Sequence, residues 1–245
     1  MVLAAGQGTR LRPITDRMPK ALVPVAGRPM IEFALLLLRR HGVRDIVINL
    51  HHFGAQIEKQ LGDGRRFDVN ISYSQEAELL DTGGGLLKAK AFLQDGTFIV
   101  INTDALIDVD LSAVLNEHRK NNATATLVLR PDADADRYDS IDIGADGRIC
   151  RFLAHRAKVQ PVGAVRKLMF TGVQILEPRI FDYMDGGGSR KFSTTRETYP
   201  RMLGAGAKLY GYVFDGFWQD LGTKERIAEA ERQLDCGQTQ LHFLQ

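Results

Sequence analysis

Short apolar runs alternate with amphipathic stretches along the chain, and their spacing predicts strands and helices in turn. Residues 1–5 form an apolar run closed by Gly6, which reads as a buried strand. Residues 30–41 have Pro29 just before their start, Gly42 after their end, and Arg39 and Arg40 in the last turn, which predicts a helix. The β-branched run Ile46-Val47-Ile48 centres a second strand over 43–50. Residues 56–61 make a short helix, and Val69, Ile71 and Tyr73 alternate in a third strand over 69–74. An apolar helix over 86–93, a strand over 97–104 and a helix over 111–120 follow. Beyond them come a strand over 123–129, a hairpin over 141–153 on a glycine turn at 144–147, and a strand over 168–176. A helix start over 178–184, a helix over 197–203, a strand over 207–214 and an amphipathic helix over 224–234 complete the chain. This alternation predicts an α/β fold of three layers, a mainly parallel mixed sheet covered on both faces, with ligands outside the carboxyl ends of the strands.

Composition narrows the function without naming it. With 245 residues, 44% of them hydrophobic, the chain can bury a full core as one domain, or as one domain with a lobe. A net charge of +2, with basic residues scattered and not interleaved with aromatics, gives no nucleic-acid or membrane surface. Cys150 and Cys236, without Cys-x-x-Cys spacing, argue against a zinc site or a disulfide framework and fit a reducing cytoplasm. No basic leader precedes the first apolar run, and the longest such run, 33–38, is far too short to span a bilayer.

Candidate chemistry begins where the first strand ends. Gly6 and Gly8 let backbone N–H groups approach phosphate oxygens with no Cβ in the way, while Arg10 and Lys20 supply countercharge. A dinucleotide fold asks for Gly-x-Gly-x-x-Gly, but Leu11 stands in the third glycine position; a P-loop asks for Gly-Lys-Ser/Thr, which is absent. A plain glycine turn closing a β-α unit, with solvated cations, is the alternative. Farther on, Gly83-Gly84-Gly85 before an apolar helix predicts a close-approach floor at a helix N-terminus, with Thr82 as N-cap. Asp104 ends the buried strand 97–104, where a nucleotide's phosphates need a divalent cation; an Asp capping the next helix is the competing reading. Asp108 and Asp110 read as caps and solvated charges. His51-His52 read as a loop pair packed on a helix, since no third ligand lies nearby. Asp132, Asp134 and Asp136 lack the glycine and glutamate of a calcium loop, and 186–189 reads as a mobile loop.

The stretch Leu3-Ala-Ala-Gly-x-Gly-Thr-Arg-Leu-x-Pro-x-Thr15, followed by Pro19-Lys20-x-Leu-x-Pro-Val25, closely resembles the sugar-1-phosphate nucleotidyltransferases. Further resemblance lies in Asp81-Thr-Gly-Gly-Gly85, in Asn102-Thr-Asp104 and in Trp218-x-Asp-x-Gly-Thr223. It implies a GT-A-like single domain with a Rossmann-like nucleotide-binding half over about residues 1–110 and a sugar-binding half over about 111–235. It implies transfer of a nucleoside monophosphate from an NTP to a sugar 1-phosphate, releasing pyrophosphate. Ala4, Ala5, Gly6, Gly8 and Thr9 would cradle the nucleotide, with Arg10 on the leaving pyrophosphate and Lys20 on the reacting phosphates. Thr82, Gly83, Gly84 and Gln75 or Glu76 would lie at the base, Thr171 and Gly172 at the sugar, and Asp104 with Asp220 on Mg²⁺. Thr103 replaces the family's small middle residue, and the family's Glu-Lys-Pro lysine is missing after the hairpin, leaving Arg166 and Lys167 as substitutes. Thr223 starts the last helix with Glu225 as capping partner. The first strand starts slightly early for the family, so the N-terminus is expected to be trimmed, and no hexapeptide repeat of a C-terminal β-helix follows.

Tyr73-Ser-Gln-Glu76 and the Asp81 to Ala89 run look most like the N-acetylmuramate-1-phosphate uridylyltransferases of cell-wall recycling, which favours UTP. Mannose- or heptose-1-phosphate guanylyltransferases are the alternative. A choline-phosphate cytidylyltransferase has little support from the single Trp218, and a non-catalytic nucleotide sensor is opposed by Arg10, Lys20, Asp104 and Asp220. The expected protein is cytoplasmic, a monomer or homodimer.

Overall fold

A computed structural model describes residues 1–131, 140–185, 190–237 and 239–244. Asp132, Asp134 and Asp136 and the stretch 186–189 lie outside the described residues. In chain order the first half contains β1 (Val2–Leu3), β2 (Pro24–Val25), β3 (Arg28–Pro29), α1 (Met30–Arg40), β4 (Asp45–Leu50), α2 (Gly54–Leu61), β5 (Asn70–Gln75), α3 (Asp81–Lys88), α4 (Lys90–Leu93), β6 (Phe98–Asn102), β7 (Ala105–Ile107) and α5 (Leu111–Lys120). The second half contains β8 (Ala125–Arg130), β9 (Ile141–Ile143), β10 (Ile149–Phe152), β11 (His155–Arg156), β12 (Arg166–Leu176), α6 (Tyr199–Gly204), β13 (Leu209–Val213), β14 (Trp218–Asp220) and α7 (Lys224–Asp235).

The chain divides into two compact units that interleave along the sequence. One comprises Met1–Leu79, Ile101–Asp110 and Gly216–Gln245; the other comprises Leu80–Val100 and Leu111–Asp215.

In the first unit β1 is central. It pairs in parallel with β4 on one side (Val2↔Ile48) and with the end of β6 on the other (Leu3↔Asn102), and β5 continues the parallel set beyond β4. Parallel strands buried on both faces read as near-continuous apolar runs, as in Ile46 to Ile48. α1 is buried along nine consecutive residues, Met30 to Leu38. Each buried Leu or Ile there contributes roughly 1.5–3 kcal/mol. The one buried charge on α1, Glu32, is paired by Arg28 (3.3 Å) and Arg66 (3.0 Å). The second unit is mostly antiparallel: β12 pairs with β8 and β9, β9 with β10, and β10 with β11, while β13 joins β8 in parallel.

The glycine helix departs from expectation. α3 starts at Asp81, not at residue 86, and takes all three glycines into its body before Ala89 breaks it from α4. Thr82 is not its N-cap; Leu80 holds that position, and the Thr82 N–H is taken by the Asp81 carboxylate at 2.6 Å. Each glycine costs about 1 kcal/mol in a helix interior relative to Ala. Tertiary packing overrides that cost here, because a Cβ on Gly83 would come 2.3 Å from the Phe192 ring and one on Gly84 2.4 Å from the Arg190 carbonyl oxygen. Residues 178–184 form a 3-10 turn (Pro178–Tyr183), and α6 is preceded by a π-helical turn, Thr194–Thr198. Asp108 is no solvated cap: it accepts the His242 backbone N–H at 3.1 Å and meets the His242 ring, anchoring the last turn of the described chain.

Candidate active site

Because Leu3 ends β1 beside Asn102 at the end of β6, the segments that follow both strands leave the same edge of the parallel sheet. Thr103 fastens them together, donating its hydroxyl (2.9 Å) and its N–H (3.3 Å) to the Leu3 carbonyl. Beneath the turn, the Ala4 N–H donates to Asn49 Oδ1 (2.8 Å), and the Asn49 amide donates to Glu76 Oε1 (2.7 Å). Ala4, Ala5, Asn49 and Glu76 are all buried. Gly8 is left-handed (φ 63°), and an added Cβ would lie 2.8 Å from Lys20 Cβ and 2.9 Å from Thr15 Cγ2. Its carbonyl accepts the Thr15 hydroxyl and the Leu11 N–H, each at 2.9 Å. Gly6 is different. It is exposed, and nothing lies within 4 Å of where its Cβ would stand.

The four charged residues expected at the site all fall in this unit. Lys20, largely buried, donates to Asp104 Oδ2 at 2.7 Å. Ala105, the residue after Asp104, pairs with Asp220 in the antiparallel β7–β14 ladder, and the Leu221 N–H donates to the Asp104 carbonyl at 2.8 Å. Two aspartates 116 positions apart are thus brought together by one short strand pair. Asp220 Oδ1 accepts the Gly222 N–H at 2.9 Å, and Asp220 Oδ2 forms an ion pair with Arg226. Arg10 lies over Gly222: a Cβ there would come 2.5 Å from Arg10 Nη2 and 2.9 Å from Asp220 Oδ1. Arg10 and Thr9 are exposed in the 3-10 turn Thr9–Leu11.

Asp104 offers an oxygen that suits a magnesium ion, whereas both oxygens of Asp220 are engaged within the chain. Lys20 makes the only hydrogen bond to the Asp104 carboxylate among the described residues, on Oδ2, which leaves Oδ1 open. Magnesium takes one or two carboxylates and keeps several waters. No group of three or more His, Cys, Asp or Glu side chains able to hold a metal occurs among the described residues.

The remaining expected residues are engaged elsewhere. Gln75 donates to Glu58 Oε1 at 3.3 Å. In the second unit, the Thr82 hydroxyl accepts the Thr194 N–H (2.9 Å), and the N–H groups of Gly83 and Gly84 both donate to the Phe192 carbonyl (2.9 and 3.2 Å). The Thr171 hydroxyl is buried and donates to the Val128 carbonyl at 2.8 Å, and Gly172 (φ 90°) sits in the register shift of β12 against β8. Arg166 and Lys167 open β12 on the exposed side. His51 meets the Glu76 carbonyl at 3.0 Å, and His52 packs on Phe53.

A model of the family described as Nucleotidyl transferase matches residues 1–236. The chain belongs to the nucleotidyl transferase family. It is 35% identical over 235 residues to a UTP–glucose-1-phosphate uridylyltransferase of Synechocystis, covering 91% of this chain and 59% of that protein. It is 32% identical to a mannose-1-phosphate guanylyltransferase of Mycobacterium tuberculosis, covering 97% of this chain and 64% of that protein. The chain thus spans about three fifths of the length of these two relatives. It is 37% identical to an N-acetylmuramate alpha-1-phosphate uridylyltransferase of Neisseria meningitidis, covering 94% of this chain and 96% of that one. Among solved structures, HddC from Yersinia pseudotuberculosis superposes with a TM-score of 0.77 at 24% identity, over 95% of this chain and 97% of that one. The α/β fold is therefore that of the nucleotidyl transferases. No helix among the described residues is long and apolar enough to cross a membrane.

Within this family member, two contacts escape a reading of the sequence. Asn49 is a polar residue inside an apolar strand, a signal that a buried partner is needed; Glu76 is that partner. Arg226 stands in the first turn of α7, where the helix dipole disfavours a cation, and its pairing with Asp220 explains its presence. Thr223 caps α7, accepting the Arg226 N–H at 3.4 Å. Hydrogen bonds from its own backbone N–H and from the Thr223 hydroxyl lower the pKa of the Glu225 carboxyl.

Proposed function

We propose that this chain transfers a nucleoside monophosphate from an NTP to a sugar 1-phosphate. A phosphate oxygen of the sugar phosphate attacks the α-phosphorus, the bond to the β-phosphate breaks, and pyrophosphate leaves. The observation that carries this reading is the exposed Arg10 guanidinium over Gly222, beside a glycine turn in which Gly6 has open space where a side chain would stand. No demand of the fold calls for glycine at position 6; close approach of a ligand does. Phosphoryl-type transfer asks for in-line positioning and charge neutralisation more than for covalent chemistry. Arg10 binds the leaving pyrophosphate, Lys20 the reacting phosphates, and Ala4, Ala5, Gly6, Gly8 and Thr9 form the phosphate cradle. Asp104 and Asp220 hold Mg²⁺, which when bound offsets the charge of the phosphates.

In this proposal the nucleotide belongs to roughly residues 1–110 and the sugar to 111–235 of a single catalytic domain. Gln75, Thr82, Gly83 and Gly84 serve the base, and Thr171 with Gly172 the sugar. UTP and N-acetylmuramate 1-phosphate are the favoured pair, because the relative of that activity matches this chain over nearly its whole length and its own. A guanylyltransferase acting on mannose or heptose 1-phosphate is the second reading, favoured by the Mycobacterium relative. Action in the cytoplasm as a monomer or homodimer is part of the same proposal. The test is a pyrophosphate-release screen of four NTPs against glucose, mannose, heptose and N-acetylmuramate 1-phosphates and against phosphocholine. Turnover with UTP and N-acetylmuramate 1-phosphate is expected. Turnover with phosphocholine and CTP alone, or with no pair at all, overturns the reading.

A further inference from the structure

The carboxylates of Asp104 and Asp220 already have counter-ions from within the chain. Lys20 pairs with Asp104 at 2.7 Å, Arg226 pairs with Asp220, and Arg10 stands over Gly222 next to Asp220 Oδ1. Three cations therefore face two carboxylates. Such a cluster attracts a polyanion and repels a free dication, since a like charge within a few ångströms disfavours the incoming one. Of the three cations, Lys20 and Arg10 have phosphates to turn to in the proposed reaction. Arg226 does not, because it is anchored differently. Its backbone, six residues beyond Asp220, is fixed at the start of α7 by the Thr223 cap, and the turn between them is closed by the Gly222 N–H on Asp220 Oδ1.

We propose that Arg226 is the resident counter-ion of Asp220, a positioning residue that withholds this carboxylate from free divalent cations, so that metal enters the site with the nucleotide. The inference rests on the metal reading of Asp104 and Asp220 given above. A guanidinium beside a carboxylate lowers that carboxylate's affinity for any other cation, and for a proton such a neighbour is worth 1–3 pKa units. The nucleotide's phosphates reverse the balance by bringing negative charge to Lys20 and Arg10.

The test reads Mn²⁺ binding to the intact chain by the electron paramagnetic resonance signal of the free ion, with and without UTP or GTP. Without nucleotide, Arg226→Met and Arg226→Gln are expected to bind Mn²⁺ about tenfold more tightly than the unaltered chain, while Arg226→Lys stays like it. The gain should vanish when Asp220→Asn is added. Circular dichroism confirms that each variant is folded, and the Gln variant serves if the Met variant is not. Equal Mn²⁺ affinity in the unaltered chain and both neutral variants, with nucleotide-dependent uptake intact, overturns the role of Arg226 alone. If Asp104→Asn and Asp220→Asn leave nucleotide-dependent uptake unchanged, the metal reading of the site falls, and the role of Arg226 with it.

Discussion

At Gly6 an added Cβ would meet nothing within 4 Å, whereas at Gly83 it would come 2.3 Å from the Phe192 ring and at Gly84 2.4 Å from the Arg190 carbonyl. In the sequence both stretches read as glycine floors for a ligand. In the structure the second is a packed helix interior whose amides are spent on Phe192, and the first is an open turn beside Arg10 and Lys20, the latter paired with Asp104. At Gly83 and Gly84 the packing by itself accounts for glycine, beside the role proposed for them at the base; at Gly6 it does not, and the proposed phosphate ligand supplies the reason. The cations beside the first stretch and the packing around the second give each half of this contrast its own measurement.

The largest effect is expected at the open turn. Arg10→Ala should lower turnover by about 10²–10³-fold, the usual cost of removing one donor aimed at developing charge, with the thermal midpoint unchanged, because Arg10 is exposed. Steady-state pyrophosphate release with a parallel thermal melt checks both halves of the statement. Activity equal to the unaltered chain would remove Arg10 from the site. Next in size, Gly84→Val should lose about 1–3 kcal/mol of stability, since the obstructing atoms are the Arg190 backbone and Leu80 Cβ and neither can swing away. For a chain of this length that is a fall of several degrees in Tm, at roughly 2–4 °C per kcal/mol. A melt unchanged in Gly84→Val would mean that the helix interior has room the structure does not show. Gly6→Ala should do the opposite: stability within about 0.5 kcal/mol of the parent, as for a surface change, but weaker nucleotide binding by calorimetry. Full affinity in that variant would leave Gly6 without a ligand-based reason.

Much of the first unit was legible because its signals are local. The apolar run 1–5, the helix at 30–41 and the β-branched strand at 46–48 each fixed an element, and the glycine turn with its two cations followed from the strand's end. The position of Asp104 just beyond β6 was legible from the abrupt polar end of an apolar strand. Asp220 needed the family resemblance, since no spacing rule links two residues on separate strands; the β7–β14 register that joins them is a tertiary fact. The triple glycine misled because helix propensity argues against a helix through Gly83 to Gly85, and only the crowding by Phe192 and Arg190 reverses it. Arg226 was hidden for the same reason as Asp220. Its meaning lies in a turn closed back on Asp220, while its place in the sequence is an ordinary polar position on an amphipathic helix.

The smallest expected effect contrasts the two units through one histidine of each, His118 and His41. In the second unit His118 is 1% exposed, with its ring nitrogens on the Thr126 hydroxyl (2.8 Å) and Glu177 Oε1 (3.1 Å). Burial lowers its pKa below the ordinary 6.5, against the opposing pull of Glu177. A base held neutral in the fold binds fewer protons than the unfolded chain does just below pH 6.5, so stability rises with pH through that window and is lost as pH falls. The limit is about 1.4 kcal/mol per pH unit for one such group. His41, in the first unit, is lowered by burial too, but with Asp110 near its ring at 3.6 Å and partly exposed it contributes in the same direction. Urea midpoints at pH 7.5 and 5.5 should therefore fall in the unaltered chain, fall less in His118→Gln, and fall least when His41→Gln is combined with it. A drop in His118→Gln as large as that of the parent would show that His118 takes up its proton in the folded state without cost, and that this polar cluster, unlike the packed glycines of the same unit, is not sealed from water.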